Sequence, residues 1–196
     1  MRKPVPTDLP LTPVILERWS QYAFDPEAVL SAESVLTLFE AARWAPSSSN
    51  IQPWRFIAGV NRDETHAKLA SCLDEGNRLW APDASLLVCC CASLTHPRTG
   101  MENPLARHDL GISLGFILLQ ATHMGLACHP MGGFSKEKAR ELFGLPGDID
   151  PMSMIAIGMP GDPEKLADVV KKKHSRVRLR TGLDAILLSG APVPGR

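Results

Sequence analysis

The sequence predicts an α/β or α+β domain, and three observations lead to this fold class. Short apolar runs that are typical of strands alternate with longer segments that have helical periodicity. The chain has 196 residues, 44% of them hydrophobic, which is enough to bury a substantial core. No internal repeat is visible. We expect an amino-terminal arm over residues 1–13, a single domain over 14–188 and a carboxy-terminal tail over 189–196.

Helical periodicity predicts helices over four segments, Pro26–Trp44, Asp63–Leu73, Leu105–Met124 and Ser135–Phe143. Ser31 and Ser135 are candidate N-caps, because a serine hydroxyl accepts a hydrogen bond from the first-turn backbone. Gly144 is a natural stop for the last of these helices. Leu183–Leu188 fits one or two further helical turns.

Short apolar runs predict strands over Pro53–Ala58, Ala84–Cys91, Leu126–Pro130 and Met152–Met159. The second run is apolar throughout, which favours a strand that is buried on both faces. Prolines, glycines and small polar residues predict loops over Ser47–Asn50 and Thr95–Pro104.

Charge and hydropathy exclude several classes of protein. Lys and Arg together number 21, as do Asp and Glu, so no net charge draws the chain to nucleic acid. The longest uncharged stretch, Leu110–Phe134, is broken by polar residues and glycines, which argues against a membrane span. The first ten residues lack the apolar segment of a secretory signal. We therefore expect a cytoplasmic protein with neither a nucleic-acid nor a membrane partner.

The cysteines and histidines do not predict a metal or nucleophile site. Five cysteines, three of them consecutive, indicate reduced thiols rather than a disulfide framework. In a strand, Cys89, Cys90 and Cys91 point alternately to opposite faces and do not converge on one ion. Cys128 beside His129 could form a nucleophile and base, but core packing explains the pair better. No glycine-rich nucleotide motif of the Rossmann or P-loop type occurs.

Polar residues in loops are the remaining candidates for a binding site. The segment Pro46–Trp54 presents hydroxyl and amide groups between two prolines, as recognition of a polar heterocycle requires, although an ordinary Ser/Asn turn has the same composition. Arg18 and Ser20 are phosphate-capable donors, and a surface Arg and Ser are the alternative. In an extended chain Arg176, Arg178 and Arg180 would share one face and could clamp a phosphate; the alternative is a solvated charged face.

Four stretches together resemble the FMN-dependent nitroreductase family, from about Arg18 to Leu187. They are Arg18-Trp19-Ser20 with Phe24, Ala41–Phe56, Gly76–Trp80, and Pro130–Phe134 followed by Leu142–Pro146 and Ile157–Pro160. The second stretch, AARWAPSSSNIQPWRF, is the most specific, because it follows the family signature E-A-A-R-x-A-P-S-S-x-N-x-Q-P-W-x-F in order.

The resemblance implies an α+β fold, a three-layer α-β-α sandwich with a mixed, mainly antiparallel sheet. It also implies an intertwined homodimer with FMN sites at the subunit interface. The Leu105–Met124 helix is a natural dimer element, although core packing explains its apolar residues equally well.

The family motif maps onto a set of cofactor-binding residues: Arg18, Trp19, Ser20, Pro46, Ser47, Ser48, Asn50, Gln52, Asn77, Met131, Gly132, Gly133, Arg178 and Arg180. Arg18 and Ser20 are implied to hold the flavin phosphate and ribityl region with the carboxy-terminal arginines. The Pro46–Asn50 loop is implied to reach the flavin from the partner subunit, supported by Gln52. Asn77 is implied at the pyrimidine end of the ring, and the Gly132-Gly133 turn at flavin N5, where glycine permits close approach.

The chain departs from the family pattern at one position and is ambiguous at another. Trp19 stands where the family often has a second basic residue, which removes a phosphate contact. The carboxy-terminal register favours either Arg178 and Arg180 or His174 and Arg176, and we choose the first pair.

The resemblance implies NAD(P)H-dependent reduction of nitroaromatic, quinone-like or related small acceptors by ping-pong hydride transfer. The flavin would carry the chemistry, so no catalytic side chain and no metal are expected. Alternatives are another flavin reaction, such as dehalogenation, substrate dehydrogenation or flavin fragmentation, and flavin binding without turnover. The alternative flavin reactions usually use an inserted lid segment, and the Ser93–Pro104 loop is the only segment available there for a lid. We expect this loop to help shape the acceptor pocket.

Overall fold

The computed structural model describes residues 3–190, and these form an α+β fold as predicted. Four strands are present in the described chain: β1 (Trp54–Val60), β2 (Leu86–Ser93), β3 (Ala127–Met131) and β4 (Ile149–Gly158). The α-helices are α1 (Pro13–Glu17), α2 (Ala32–Arg43), α3 (Glu64–Cys72), α4 (Glu75–Arg78), α5 (Ala106–His123), α6 (Lys136–Phe143), α7 (Asp168–His174) and α8 (Leu183–Ile186). Residues 1–2 of the predicted arm and 191–196 of the predicted tail lie outside the described residues.

The strands form one sheet in the order β1-β2-β4-β3, and each neighbouring pair is antiparallel. A parallel contact occurs outside the named strands, where Ser20 bridges Cys128 at the free side of β3. The segment that follows α1 therefore extends the sheet edge beside β3.

Strand β2 is the centre of the core. Its residues from Leu86 to Ala92 are at most 1% exposed, which agrees with the prediction of a strand buried on both faces. Leu86, Val88 and Cys90 belong to one apolar cluster, and the alternate residues Leu87 and Cys89 belong to a second. The period-2 alternation of a strand thus divides a continuous apolar run between two cores.

Helices cover both faces of the sheet and complete three layers. Helix α2 packs on α5, and residues of both helices join the cluster that contains Val88. Helices α3 and α6 pack against each other, α3 on β1 and β2, and α6 on β4, in the cluster that contains Cys89. The sandwich confirms the predicted architecture.

The first long helix begins later than predicted, at Ala32 instead of Pro26. The side-chain amide of Asn61 donates to the carbonyl of Leu30 at 2.9 Å and accepts from the Leu30 N–H at 3.0 Å. This contact occupies both backbone groups of Leu30, so the helix starts after Ser31, whose hydroxyl caps it by accepting from Ser34.

Strand β4, in contrast, begins earlier than predicted, at Ile149 rather than Met152, because it pairs with β2 as far as Ser93. The register shifts between Cys90 and Cys91, next to Pro151, which lacks a backbone N–H. Three short helices, α1, α4 and α7, were not predicted.

Over residues 3–190, no helix combines the length and apolar character needed to traverse a bilayer.

Candidate functional site

A positively charged cavity of about 340 Å³ lies between the segment after α1 and the segment after α7. The described lining residues include no acidic residue, and the cationic ones are Lys3, Arg18, Lys173, Arg176, Arg178 and Arg180. Trp19 and Ser20 also line the cavity. The structure therefore brings together the predicted Arg18, Trp19, Ser20, Arg178 and Arg180, whereas His174 of the alternative register is buried against the Trp19 ring.

Backbone contacts hold one arginine of this cavity, Arg178, against the end of α1. The Arg178 guanidinium donates to the carbonyl of Leu16, at the end of α1, at 2.5 Å. Burial lowers the pKa of Arg178, and the charges of Arg18 and Arg180 lower it further. Mutual repulsion of this kind is relieved by an anion, so the electrostatics suit a phosphate.

A tight glycine turn follows β3, at the end opposite to Cys128. The side-chain amide of Asn77 donates to the Gly133 carbonyl at 3.0 Å, and the Asp74 N–H donates to the same oxygen at 3.1 Å. A Cβ on Gly133 would lie 1.9 Å from a carboxylate oxygen of Asp74, whereas a Cβ on Gly132 would meet nothing within 4 Å. The structure thus joins the predicted Asn77, Gly132 and Gly133, with Gly132 on the open side.

Met131 contributes only its backbone to this region. Its side chain is 7% exposed and packs in the core cluster with Cys89. Only the main chain of Met131 is therefore available to a ligand at the glycine turn.

The Pro46–Gln52 turn precedes β1 and has an unusual backbone. Ser49, Asn50 and Gln52 have φ values of 50°, 55° and 54°, in the left-handed region that non-glycine residues seldom adopt. The Gln52 side-chain amide donates to Asn50 Oδ1 at 3.0 Å, and the Gln52 N–H donates to Ser47 Oγ at 3.0 Å. These bonds hold the turn together, and Pro46 and Asn50 are exposed; the role of Gln52 at a flavin stays a prediction.

The structure does not bring the Pro46–Gln52 turn to the glycine turn within one chain. The first turn leads into β1 and the second follows β3, and these strands are the two edges of the sheet. Three strand spacings separate the edges by about 14 Å. The predicted residues therefore lie in two groups, one at each edge.

Comparisons with known proteins decide the family. A model of the nitroreductase family matches residues 15–88 and 75–159, which together are more than half of the chain. The chain belongs to the nitroreductase family. This confirms the resemblance that the sequence motifs carry.

Relatives and solved structures agree with this assignment. DrgA of Synechocystis sp. is 31% identical over 199 aligned residues, covering 88% of this nitroreductase-family chain and 92% of DrgA. An oxygen-insensitive NAD(P)H nitroreductase of Salmonella typhimurium is 33% identical over 100 residues, 49% of this chain and 45% of that protein. A crystal structure of an oxidoreductase containing FMN superposes with a TM-score of 0.83 at 29% identity, over 97% of this chain and 94% of that one.

One further solved structure shares the fold. A candidate nitroreductase from Desulfovibrio desulfuricans, in complex with FMN, superposes with a TM-score of 0.71 at 24% identity. The superposition covers 94% of this chain and 100% of the other.

Sequence reasoning missed Asp109, which anchors the strained turn of this nitroreductase-family protein. Asp109 lies in the first turn of α5, is 1% exposed, and accepts the Ser48 N–H at 3.0 Å. Its other carboxylate oxygen lies 3.1 Å from His108 Nδ1. No local pattern marks Asp109, because Arg107 and His108 also make the first turn of α5 polar.

The thiols do not form a nucleophilic site. Burial raises the pKa of Cys128, whose Sγ lies 3.7 Å from the Leu118 carbonyl, while His129 Nδ1 lies 2.8 Å from the Gln21 carbonyl. The two neighbours therefore point to different partners. Within residues 3–190 no group of three or more His, Cys, Asp or Glu side chains is arranged to hold a metal ion.

An aromatic cluster lies between the cavity and the glycine turn. The His129 ring packs 4.5 Å from both Tyr22 and Trp80, measured between ring centroids. Burial, helped by the charge of Arg18, lowers the pKa of His129 to about 4. His129 is therefore a neutral packing residue at pH 7.

We expect Asp109→Ala to destabilise the fold by about 1–3 kcal/mol, because it leaves the Ser48 N–H without its buried acceptor. Asp109→Asn keeps an acceptor oxygen and should cost less. Urea unfolding measures both, and hydrogen exchange of the 48–50 amides should accelerate in the alanine variant. Asp168→Ala, an exposed acidic residue in the first turn of α7, is the control. Equal losses at positions 109 and 168 would contradict the anchoring role.

We expect the free energy of unfolding to fall as the pH drops from about 6.5 to 4. A histidine of the unfolded chain has a pKa near 6.5, whereas the pKa of folded His129 is about 4. Between these pH values the histidine is protonated in the unfolded state and neutral in the folded state, so protons favour unfolding. The slope from one such group is at most about 1.4 kcal/mol per pH unit. His66 and His174, whose pKa values burial also lowers, act in the same direction.

Urea unfolding at several pH values measures this slope. His129→Phe should flatten it, while His123→Gln, at an exposed position, should leave it unchanged. A slope that is the same in wild type and His129→Phe would show that His129 is not protected from protonation.

Proposed function

We propose that this nitroreductase-family protein is an FMN-dependent oxidoreductase that uses NAD(P)H to reduce nitroaromatic, quinone-like or related small acceptors. The observation that carries the proposal is the arrangement along β3. A phosphate-suited cationic cavity adjoins Ser20, which bridges Cys128 near the start of β3, and an open glycine turn follows Met131 at its end. A ligand with an anionic end and a planar ring can lie along this edge.

The donor set fits FMN. Arg18, Arg178 and Arg180, with the Ser20 hydroxyl, offer charge-assisted hydrogen bonds to a phosphate. A Cβ added to Gly132 would meet no described atom within 4 Å, so the backbone there is accessible to a ring. The Asn77 NH2 group is bound to Gly133, which leaves the Asn77 carbonyl oxygen to accept from a ring N–H at the pyrimidine end.

FMN would supply the redox chemistry, carrying reducing equivalents from NAD(P)H to a second substrate. The protein's own residues would bind and orient it. The backbone at Gly132 and Gly133 would hold the ring, and Arg18, Arg178 and Arg180 would hold the phosphate end. No side-chain acid, base or nucleophile is required, so the buried Cys128 has no catalytic part. The named nitroreductase of Salmonella typhimurium supports NAD(P)H as the reductant.

The separation of the predicted residues into two groups at opposite edges supports a homodimer. Since the Pro46–Gln52 turn and the glycine turn lie at opposite edges of the sheet, we propose that a partner subunit brings its turn to the flavin. Helix α5 offers the contact surface: Phe116 and Leu119 are 39% and 36% exposed. Added Cβ atoms at Gly111 and Gly115 meet nothing within 4 Å, which permits close helix packing by a second copy.

The acceptor would enter beside the 93–104 loop. The Ser93 N–H donates to the Pro53 carbonyl at 2.8 Å, which ties the loop to the end of the Pro46–Gln52 turn. Thr95 Oγ1 donates to Asp148 at 2.8 Å, and Met101 at the tip is 66% exposed. We propose that this loop and the turn of one subunit border the acceptor space over the flavin held by the other.

We expect the purified protein to be yellow and to lose its flavin absorption anaerobically when NADH or NADPH is added. A nitroaromatic or quinone should restore the colour. Visible spectroscopy follows both steps, and free FMN with the same reductant is the control for uncatalysed reduction. A flavin that stays oxidised would indicate binding without turnover, and a colourless protein that never takes up FMN would refute the proposal.

We expect the protein to sediment as a dimer, and Phe116→Glu with Leu119→Glu to give a colourless monomer. Charged side chains on the α5 face oppose its burial against a second copy. Leu142→Glu is the matched control, since Leu142 is 37% exposed on α6, across the sheet. Sedimentation velocity and the flavin-to-protein absorbance ratio measure both effects. A wild-type monomer with full flavin occupancy would contradict the shared site.

A further inference from the structure

A lysine of the amino-terminal arm lies beside Trp19 at the cationic cavity. Trp19 is 6% exposed, and its ring packs edge-on to the His174 ring, with 4.9 Å between the ring centroids. Because tryptophan is uncharged, this position adds no charge to the cavity. The ammonium of Lys3 lies 4.2 Å from the centroid of the Trp19 ring and lines the same cavity as Arg18 and Ser20. A cation thus stands over the uncharged side chain.

Neutral groups hold this ammonium in place. It donates to the carbonyl of His174 and, at 2.6 Å, to that of Arg176. The Lys3 carbonyl in turn lies 3.4 Å from the Arg178 guanidinium. Carbonyl oxygens and an aromatic face orient a cation without cancelling its charge. The charge of Lys3 therefore remains for an anion in the cavity.

The surroundings of Lys3 are also unfavourable for a lone cation. Burial lowers its pKa, and the nearby charge of Arg178 lowers it further. A phosphate among Lys3, Arg18 and Arg178 would reverse this effect, because an opposite charge favours the protonated amine. The cluster is therefore more stable with its anion than without it.

We propose that Lys3 binds the phosphate of the flavin, supplying from the amino-terminal arm the positive charge that Trp19 does not provide. This inference rests on the proposed function, since it concerns the same FMN. It assigns a binding role to a segment that the family resemblance, which starts near Arg18, does not reach. The hydrogen bonds of Lys3 also attach the arm to the segment after α7.

The test compares FMN with riboflavin, which has the same ring but no phosphate. We expect Lys3→Met to weaken FMN binding about tenfold, the effect of one charge-assisted hydrogen bond. Riboflavin binding should stay unchanged, and Lys3→Arg should retain most of the FMN affinity. Dissociation constants come from fluorescence titration of the full-length apoprotein. Lys68→Met, which removes an equal charge from α3, where Lys68 pairs with Glu64 and does not line the cavity, is the control.

The outcomes separate this inference from the proposed function. If wild type binds FMN and Lys3→Met binds it equally well, the inference fails and the proposed function stands. If Lys3→Met weakens riboflavin as much as FMN, Lys3 only braces the fold, and the inference again fails. If wild type binds neither flavin, both proposals fall.

Discussion

The order of the strands constrains everything that the site can be. Strands β2 and β4 occupy the middle of the sheet, so the two segments with the most specific sequence features, the Pro46–Gln52 turn and the glycine turn, lie at opposite edges. A pocket lined by both segments would have to span the sheet or, as we propose, form between two copies of the chain. The same order explains the buried β2, which two helical layers cover.

Electrostatics divide the proposed site into two kinds of environment. The cavity at the Ser20 end of the edge is crowded with cations from distant parts of the chain. The glycine turn instead offers backbone groups, held by Asp74 and Asn77. Between them the neutral aromatic cluster around His129 fills the core without adding charge. In the proposed site, charge would select the anionic end of the ligand, and the shape and backbone dipoles of the glycine turn would bind its ring.

Local patterns in the sequence predicted most of the fold. The Leu105–Met124 helix was placed within one residue at each end, and Gly144 ends α6 with a φ of 57°, in the left-handed region. Errors occurred where distant residues act on the backbone. The hydrogen bonds of Asn61 to Leu30 shift the start of α2 to Ala32, and pairing with β2 extends the start of β4 to Ile149. The candidate site shows the same division. The family motif predicted the residues of the two turns and the cavity, whereas Asp109 and Lys3 make contacts with residues distant in sequence, which no local pattern reveals.

The two adjacent glycines have different consequences for protein engineering. A side chain at position 133 would require the Asp74 carboxylate, which caps α4 by accepting from the Asn77 N–H, to move. Position 132 faces empty space on the protein side, so its tolerance is set by whatever ligand occupies the edge. A side chain at position 132 would therefore leave the scaffold intact but fill the space proposed for the ring, so that substitution there separates cofactor binding from folding.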